Sequence, residues 1–185
     1  NQPGVEMASL LDIGCGQGDL VSRLVQVFPK ARVSGVVNSE IGIRKSQEKS
    51  PTAHFFQRDL LISPSPEDPI LSWAQLAICS EVLEHILEPE RFLRNAGQFL
   101  APGARLLITV PGGPISAFDR HIGHRRHYDS KALRSLVKSA GLVPERRADP
   151  GLPAPTHLDR AAGTPAAPVR VRRGRPPLPG ERGVL

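Results

Sequence analysis

The stretch Ser9-Leu10-Leu11-Asp12-Ile13-Gly14-Cys15-Gly16-Gln17-Gly18-Asp19-Leu20 organises the rest of the chain. An apolar run ends at a carboxylate and glycines follow at alternate positions. A helix-period series (Leu20, Leu24, Val27, Phe28) then begins at once, so a buried strand turns sharply into a helix. Glycine suits that bend because it tolerates φ > 0, and because a side chain at 14, 16 or 18 would hold a ligand off the backbone. In dinucleotide sites the spacing is G-x-G-x-x-G, with the pyrophosphate over the helix N-terminus. Here the third glycine comes one residue early and Asp19 adds negative charge, which favours a cationic or zwitterionic ligand.

Outward from this turn the pattern repeats. Strands are expected over Met7–Ile13, Arg32–Val37, His54–Gln57, Gln75–Cys79 and Ala104–Val110. Helices are expected over Leu20–Phe28 and from a Ser39 N-cap to about Lys49. A short helix is read near Ile70–Trp73. Another carries Val82 and Leu83 inward, breaks at Pro89 and continues amphipathically to Leu100. A polar loop, Ala117-Phe118-Asp119-Arg120-His121-Ile122-Gly123-His124-Arg125-Arg126-His127-Tyr128, precedes a helix capped by Asp129 or Ser130 and running to Ala140. Leu142 to Arg147 begins a sixth strand. Units of this kind in series give an α/β, doubly wound Rossmann-like sheet whose site lies at the carboxyl ends of the strands.

The strand ending in Asp12 with G-x-G-x-G after it, Asp59 after the third strand, Glu81-Val82-Leu83-Glu84-His85 after the fourth and the FDRHIGHRRHY string after the fifth resemble the class I S-adenosylmethionine-dependent methyltransferases of bacterial small-molecule type. The resemblance implies S-adenosyl-L-methionine as cofactor. It places Asp12, Gly14, Cys15, Gly16 and Gly18 at its methionine end, Asp59 with Leu60 at the adenine, and Ser80 on the far side of the methyl donor. The ribose position departs from the family: Val37 stands where an acid is usual, leaving Asn38 or Glu40 as a weaker grip. His85, His124 and His127 are the candidate catalytic groups, since a hydroxyl acceptor must lose a proton and imidazole titrates near neutrality. Arg125 or Arg126 is read as a holder for an anionic acceptor group. Glu81, Glu84, His85 and His124 are a subordinate divalent-cation set, resembling that of small-RNA 2′-O-methyltransferases.

At 185 residues and 39% hydrophobic content, one core is expected. Residues 1–148 read as the methyltransferase-like domain and 149–185 as a Pro, Gly and Arg-rich disordered tail, for eight of the 19 prolines lie between Pro150 and Pro179. No seventh strand is readable there, and Arg170-Val171-Arg172-Arg173-Gly174-Arg175 reads as an anion-binding arm. The missing strands would leave an uncovered sheet edge and favour self-association. Half of the net charge of +6 falls in that tail. With one Trp and one Tyr available for base stacking, a small-molecule acceptor is expected rather than nucleic acid. Two cysteines, Cys15 and Cys79, read as small buried side chains rather than a disulfide, and with no membrane-spanning run the expected compartment is the reducing cytoplasm. The chain opens on Asn1 and reads as a fragment. Enzyme, non-catalytic binding module of the same fold, and RNA methyltransferase are the readings to separate.

Overall fold

The computed structural model describes residues 8–145 and 165–173. β1 (Ser9–Ile13) is buried at every position, as a strand covered on both faces must be. The glycine turn leads into α1 (Asp19–Val27), which buries Val21 and Leu24. β2 (Arg32–Val37) and β3 (His54–Gln57) flank α2 (Glu40–Lys49), whose N-terminus is capped by Ser39 Oγ accepting from the Gly42 N–H at 3.1 Å. β4 (Ala74–Ser80), α3 (Pro89–Ala96), β5 (Leu100–Pro111), α4 (Ala117–His121), α5 (Ser130–Ser139, capped by Asp129), β6 (Leu142–Pro144) and β7 (Pro165–Arg173) follow. The seven strands form one sheet ordered β3-β2-β1-β4-β5-β7-β6, with β7 antiparallel to both neighbours. Chain direction across the sheet reverses between β1 and β4. That opens a crevice at the carboxyl ends of those two strands, which is where open α/β sheets bind ligands.

Alternate residues of β1 serve different faces. Leu11 and Ile13 join the larger core with Leu83, Phe92, Leu93 and Phe99, and Leu10 packs with Val21, Leu24 and Val33. Ile70–Trp73 is a hydrogen-bonded turn rather than the expected helix. After β4 the chain also makes turns, not a helix, and Pro89 starts α3 instead of breaking one. Its missing N–H costs nothing at the first helical position. β5 begins at Leu100, because Ala74 pairs with Leu100 and Leu76 with Arg105, so residues 101–104 bulge out within the strand.

The largest correction concerns the chain's last part. Residues 165–173, expected to be disordered, are a strand inside the sheet, so β5 is not an uncovered edge and the stated ground for self-association falls away. Val169 and Val171 are buried while Arg170 and Arg172 are exposed, the period-two alternation of a strand. The proline objection fails locally. Val169 pairs with Ile108 and Ala166 with Val110, so Pro168 falls where the register shifts and no ladder donor is needed. Residues 146–164 and 174–185, where the rest of the expected tail falls, lie outside the described residues. Among the described residues no helix is long and apolar enough to cross a membrane.

If β7 is part of the fold, Val171→Ala should cost about 2 kcal/mol in urea unfolding and Arg170→Ala less than about 0.5 kcal/mol. Equal, negligible effects would mean a strand that does not hold.

Candidate functional site

Because β3, β2, β1 and β4 are adjacent and parallel, their carboxyl ends line up. Asp12 comes from β1, in register with Gly35 on one side and Ile78 on the other. It is 3% exposed, and burial pushes its carboxyl up to about 7. No ion pair or hydrogen bond holds it among the described residues.

The three glycines of the turn all have positive φ, at 82°, 55° and 79° for Gly14, Gly16 and Gly18, but they are needed for different reasons. A Cβ on Gly14 would lie 2.5 Å from Val82 Cγ2, and one on Gly18 would lie 2.8 Å from Ser46 Oγ. Those two let the turn pack against its neighbours. Only Gly16 has nothing within 4 Å of that point, so it alone presents open backbone. Cys15 points inward, its Sγ against Gly35, with its thiol pushed up to about 12 by burial and then by Asp12. Cys79 is likewise buried and free, and burial raises its thiol strongly.

The remaining cofactor candidates occupy the rim. Asn38 and Glu40 are exposed, the Asn38 carbonyl accepts from Gln57 Nε2 at 3.0 Å, and Val37 is half-buried. Asp59 is exposed, accepts the Leu61 N–H at 2.9 Å, and lines a cavity of about 480 Å³ with Gln57, Arg58, Leu60 and Phe99. The Leu60 side chain is itself buried. Ser80 shares a 2.7 Å hydrogen bond with Thr109, whose hydroxyl also lies 3.1 Å from Glu81 Oε1. A second cavity, about 420 Å³ with Phe28, Arg32, Thr52 and Trp73 in its wall, lies at the other end of the strands.

On the β4–β5 side the polar loop folds over the turn at 81–87. Arg125 N–H donates to the Glu84 carbonyl (2.8 Å), Arg125 Nε to the His85 carbonyl (3.2 Å), Arg126 Nη2 to the Leu87 carbonyl (3.1 Å) and Tyr128 Oη to the Leu83 carbonyl (3.3 Å). Both arginines expected to hold an anionic acceptor thus spend donors on stapling the loop down. The loop brings together all three candidate histidines. His124 and His127 are joined by a 3.0 Å Nδ1···Nε2 hydrogen bond, and the His85 and His124 rings stand edge-on, centroids 4.7 Å apart.

Glu84 is buried beside them, 3.9 Å from His85 Nε2, with Oε2 unpartnered, and burial, aided by Glu81, pushes it up to about 7. Of the expected cation set, Glu84, His85 and His124 bring ligand atoms within 4.8 Å of one another, but Glu81 is not among them. Two residues escaped the sequence reading. Thr109 carries no signal of its own. Asp119 does, because Ser116-x-x-Asp119 has the spacing of a capping box, and the box is formed.

Across residues 3–146 the sequence matches the family described as a methyltransferase domain. The chain belongs to that family. A trans-aconitate 2-methyltransferase of Variovorax paradoxus (strain S110) is 33% identical over 110 residues, covering 59% of this chain and 40% of the relative. The chain therefore spans well under two thirds of that protein. Among solved structures, the CurJ carbon methyltransferase superposes with a TM-score of 0.69 at 16% identity, over 93% of this chain and 50% of the other. The [4+2]-cyclase SpnF gives 0.64 at 21%, over 76% and 53%. Both show the fold. The cyclase also shows that this fold carries more than one chemistry, so within a methyltransferase-domain protein the site must be argued from its residues.

The glycine geometry gives a direct test. Gly14→Ala should destabilise by about 3 kcal/mol, from left-handed strain plus overpacking, and Gly16→Ala by about 1–2 kcal/mol from strain alone. Adding Val82→Ala should recover part of the Gly14→Ala loss and none of the other, as read by denaturant unfolding of the double variants.

Proposed function

We propose that the chain binds S-adenosylmethionine in the crevice between β1 and β4 and directs its methyl group to an oxygen or nitrogen of a small-molecule acceptor. The observation that carries this is Asp12, a buried carboxyl with no counter-charge among the described residues, beside a turn whose Gly16 backbone is open. A desolvated acid is stabilised in its ionised form by a cation brought to it, and the donor is cationic at both sulfur and amine.

These residues fit that group. Asp12 and the glycine turn would take its methionine end, Asn38 or Glu40 its ribose and Asp59 its adenine, where an exocyclic amine suits a carboxylate acceptor. When bound, the donor supplies an electrophilic methyl carbon. The chain supplies orientation and, through His85, His124 or His127, a place for the acceptor's proton. With β7 in the sheet, the reading of the chain as a binding module stripped of its last strands loses its main support. The half-buried Val37 in place of the family's acid argues for a modest grip on the ribose.

Calorimetric titration with S-adenosylhomocysteine and with S-adenosylmethionine tests the reading: micromolar binding is expected, and silence overturns it. A screen of acceptors with labelled methyl donor then names the class.

The acid gives a signature as well. Asp12 is neutral below about 7 and ionised above it, so affinity for the cationic donor should rise about tenfold from pH 6 to pH 8. It should lose that slope in Asp12→Asn. Stability without ligand runs the other way. With its folded pKa above the unfolded value of 3.8, Asp12's favourable contribution is present at low pH and lost as pH rises through about 7.

A further inference from the structure

The cavity of about 420 Å³ at the amino ends of the strands lies outside the site described above, and its walls follow a pattern of their own. Arg32 and Ser34 are two apart on β2, and Ser34 is in register with His54 of β3. Arg32, Ser34, His54 and Phe56 therefore leave the sheet on one face. Over that face stands the turn at 69–73, with Ile70 buried and Trp73 half-buried. Three hydrogen bonds hold the turn there: Ser9 Oγ donates to the Trp73 carbonyl at 2.7 Å, the Ser72 N–H to the Gln98 carbonyl at 2.9 Å, and the Ile70 N–H to Asp68 at 3.2 Å. Phe28, at the end of α1, closes another side with its ring 48% exposed. The space is thus preformed, and its volume is that of a small-molecule pocket.

Its chemistry is one-sided. Phe28, Phe56 and the chain's only tryptophan, Trp73, supply aromatic faces. The Arg32 guanidinium stands 5.7 Å from the centroid of the Trp73 ring, and His54 offers an imidazole N–H. Among the described residues no Asp or Glu lines the space, and Asp68, next to Pro69 in the chain, is engaged by Arg58 Nε at 2.6 Å. The floor adds an independent sign. Ser34 is 2% exposed, yet its hydroxyl makes no hydrogen bond among the described residues, although buried hydroxyls are ordinarily paired. A group that enters the cavity can supply that partner. Arg32 lies on the same face about 7 Å along the strand, close enough for both to meet one acceptor group.

We propose that this cavity is a second ligand site, separate from the crevice between β1 and β4, and that it takes a small aromatic carboxylate with its ring against Trp73, Phe56 and Phe28 and its charge on Arg32 and Ser34. A flat π-system suits the three rings, which favour offset or edge-on contact with another ring. An anion suits a wall with a guanidinium and no acid, because Arg meets a carboxylate with paired N–H donors. The Ser34 hydroxyl gains the acceptor it lacks. From Arg32 to Val37 β2 rises about 17 Å, so a molecule of this size held at Arg32 and Ser34 does not touch the glycine turn at the opposite end.

Because Trp73 is the only tryptophan, a ¹H–¹⁵N spectrum of the full chain contains one indole peak, which reports on this wall directly. Titration with 2-naphthoate should move that peak, with a Kd below about 1 mM. The neutral 2-naphthamide should bind about tenfold more weakly, and cyclohexanecarboxylate, which keeps the charge without the ring, about fivefold more weakly. Arg32→Gln should weaken naphthoate about tenfold and Ser34→Ala about fivefold. An indole peak that stays in place up to about 5 mM naphthoate, equal binding of the amide and the carboxylate, or two variants that bind like the wild type each overturn the proposal. So does displacement of naphthoate by S-adenosylhomocysteine, which would make the two sites one. The proposal does not rest on the methyltransferase reading: naphthoate binding by a chain that ignores S-adenosylhomocysteine supports the second site and counts against that reading alone.

Discussion

Everything at the carboxyl ends of β1 and β4 depends on the desolvation of one carboxyl. A strand covered on both faces has no cheap place for an acid, yet β1 carries Asp12 in its last turn of register, between Gly35 and Ile78. The chain tolerates this by letting the group stay neutral up to about pH 7, which is how proteins escape the cost of an unpaired buried charge. A cationic ligand reverses that balance. Under the proposed function, stability sacrificed at Asp12 returns as binding energy, and no local helix or strand preference explains the residue otherwise.

The β4–β5 side is built on the opposite principle, satisfaction of backbone groups. Turns after β4 leave the carbonyls of Leu83, Glu84, His85 and Leu87 without helical partners, and the loop at 124–128 meets each of them with a donor. Such pairing is obligatory wherever backbone leaves regular structure away from water. Two arginines and the single tyrosine are thereby used for scaffolding, and the three histidines gather beside Glu84.

How much of this could be read from residues alone varies with how local the signal is. The glycine turn, the Ser39 cap, the Asp129 cap and the strands at 32–37 and 54–57 rest on neighbouring residues, and the structure has them where the periodicity puts them. Strand β7 does not work that way. Val169-Arg170-Val171-Arg172 alternates, but four residues among prolines and arginines resemble a charged arm until β5 and β6 are there to pair with it, and the nearest of those paired residues in sequence, Pro144, lies 27 residues before its partner Val171. Pro89 misled for a related reason, since proline both ends and begins helices, and only the turn before it decides which. The histidine cluster was legible as composition. Its internal contacts, His124 Nδ1 against His127 Nε2 and His127 Nδ1 against the Gly113 carbonyl, needed the folded loop, because a backbone carbonyl carries no side-chain signature.

The turn at 81–87 joins the two ends. Glu81 adopts a left-handed φ of 53°, a strained choice for a residue with a Cβ, and it is held there by its N–H donating to the Thr109 carbonyl and its carboxylate facing the Thr109 hydroxyl. One residue on, Val82 packs where only a glycine at position 14 leaves room. Leu83, Glu84 and His85 then receive the loop at 124–128. The glycine turn, the end of β4 and the histidine loop are therefore fixed to one another through five consecutive residues. A fold whose relatives include both a carbon methyltransferase and a cyclase leaves its choice of chemistry to what is mounted on that turn, and here the mounted groups are an orphaned buried acid, Glu84, and a set of hydrogen-bonded imidazoles.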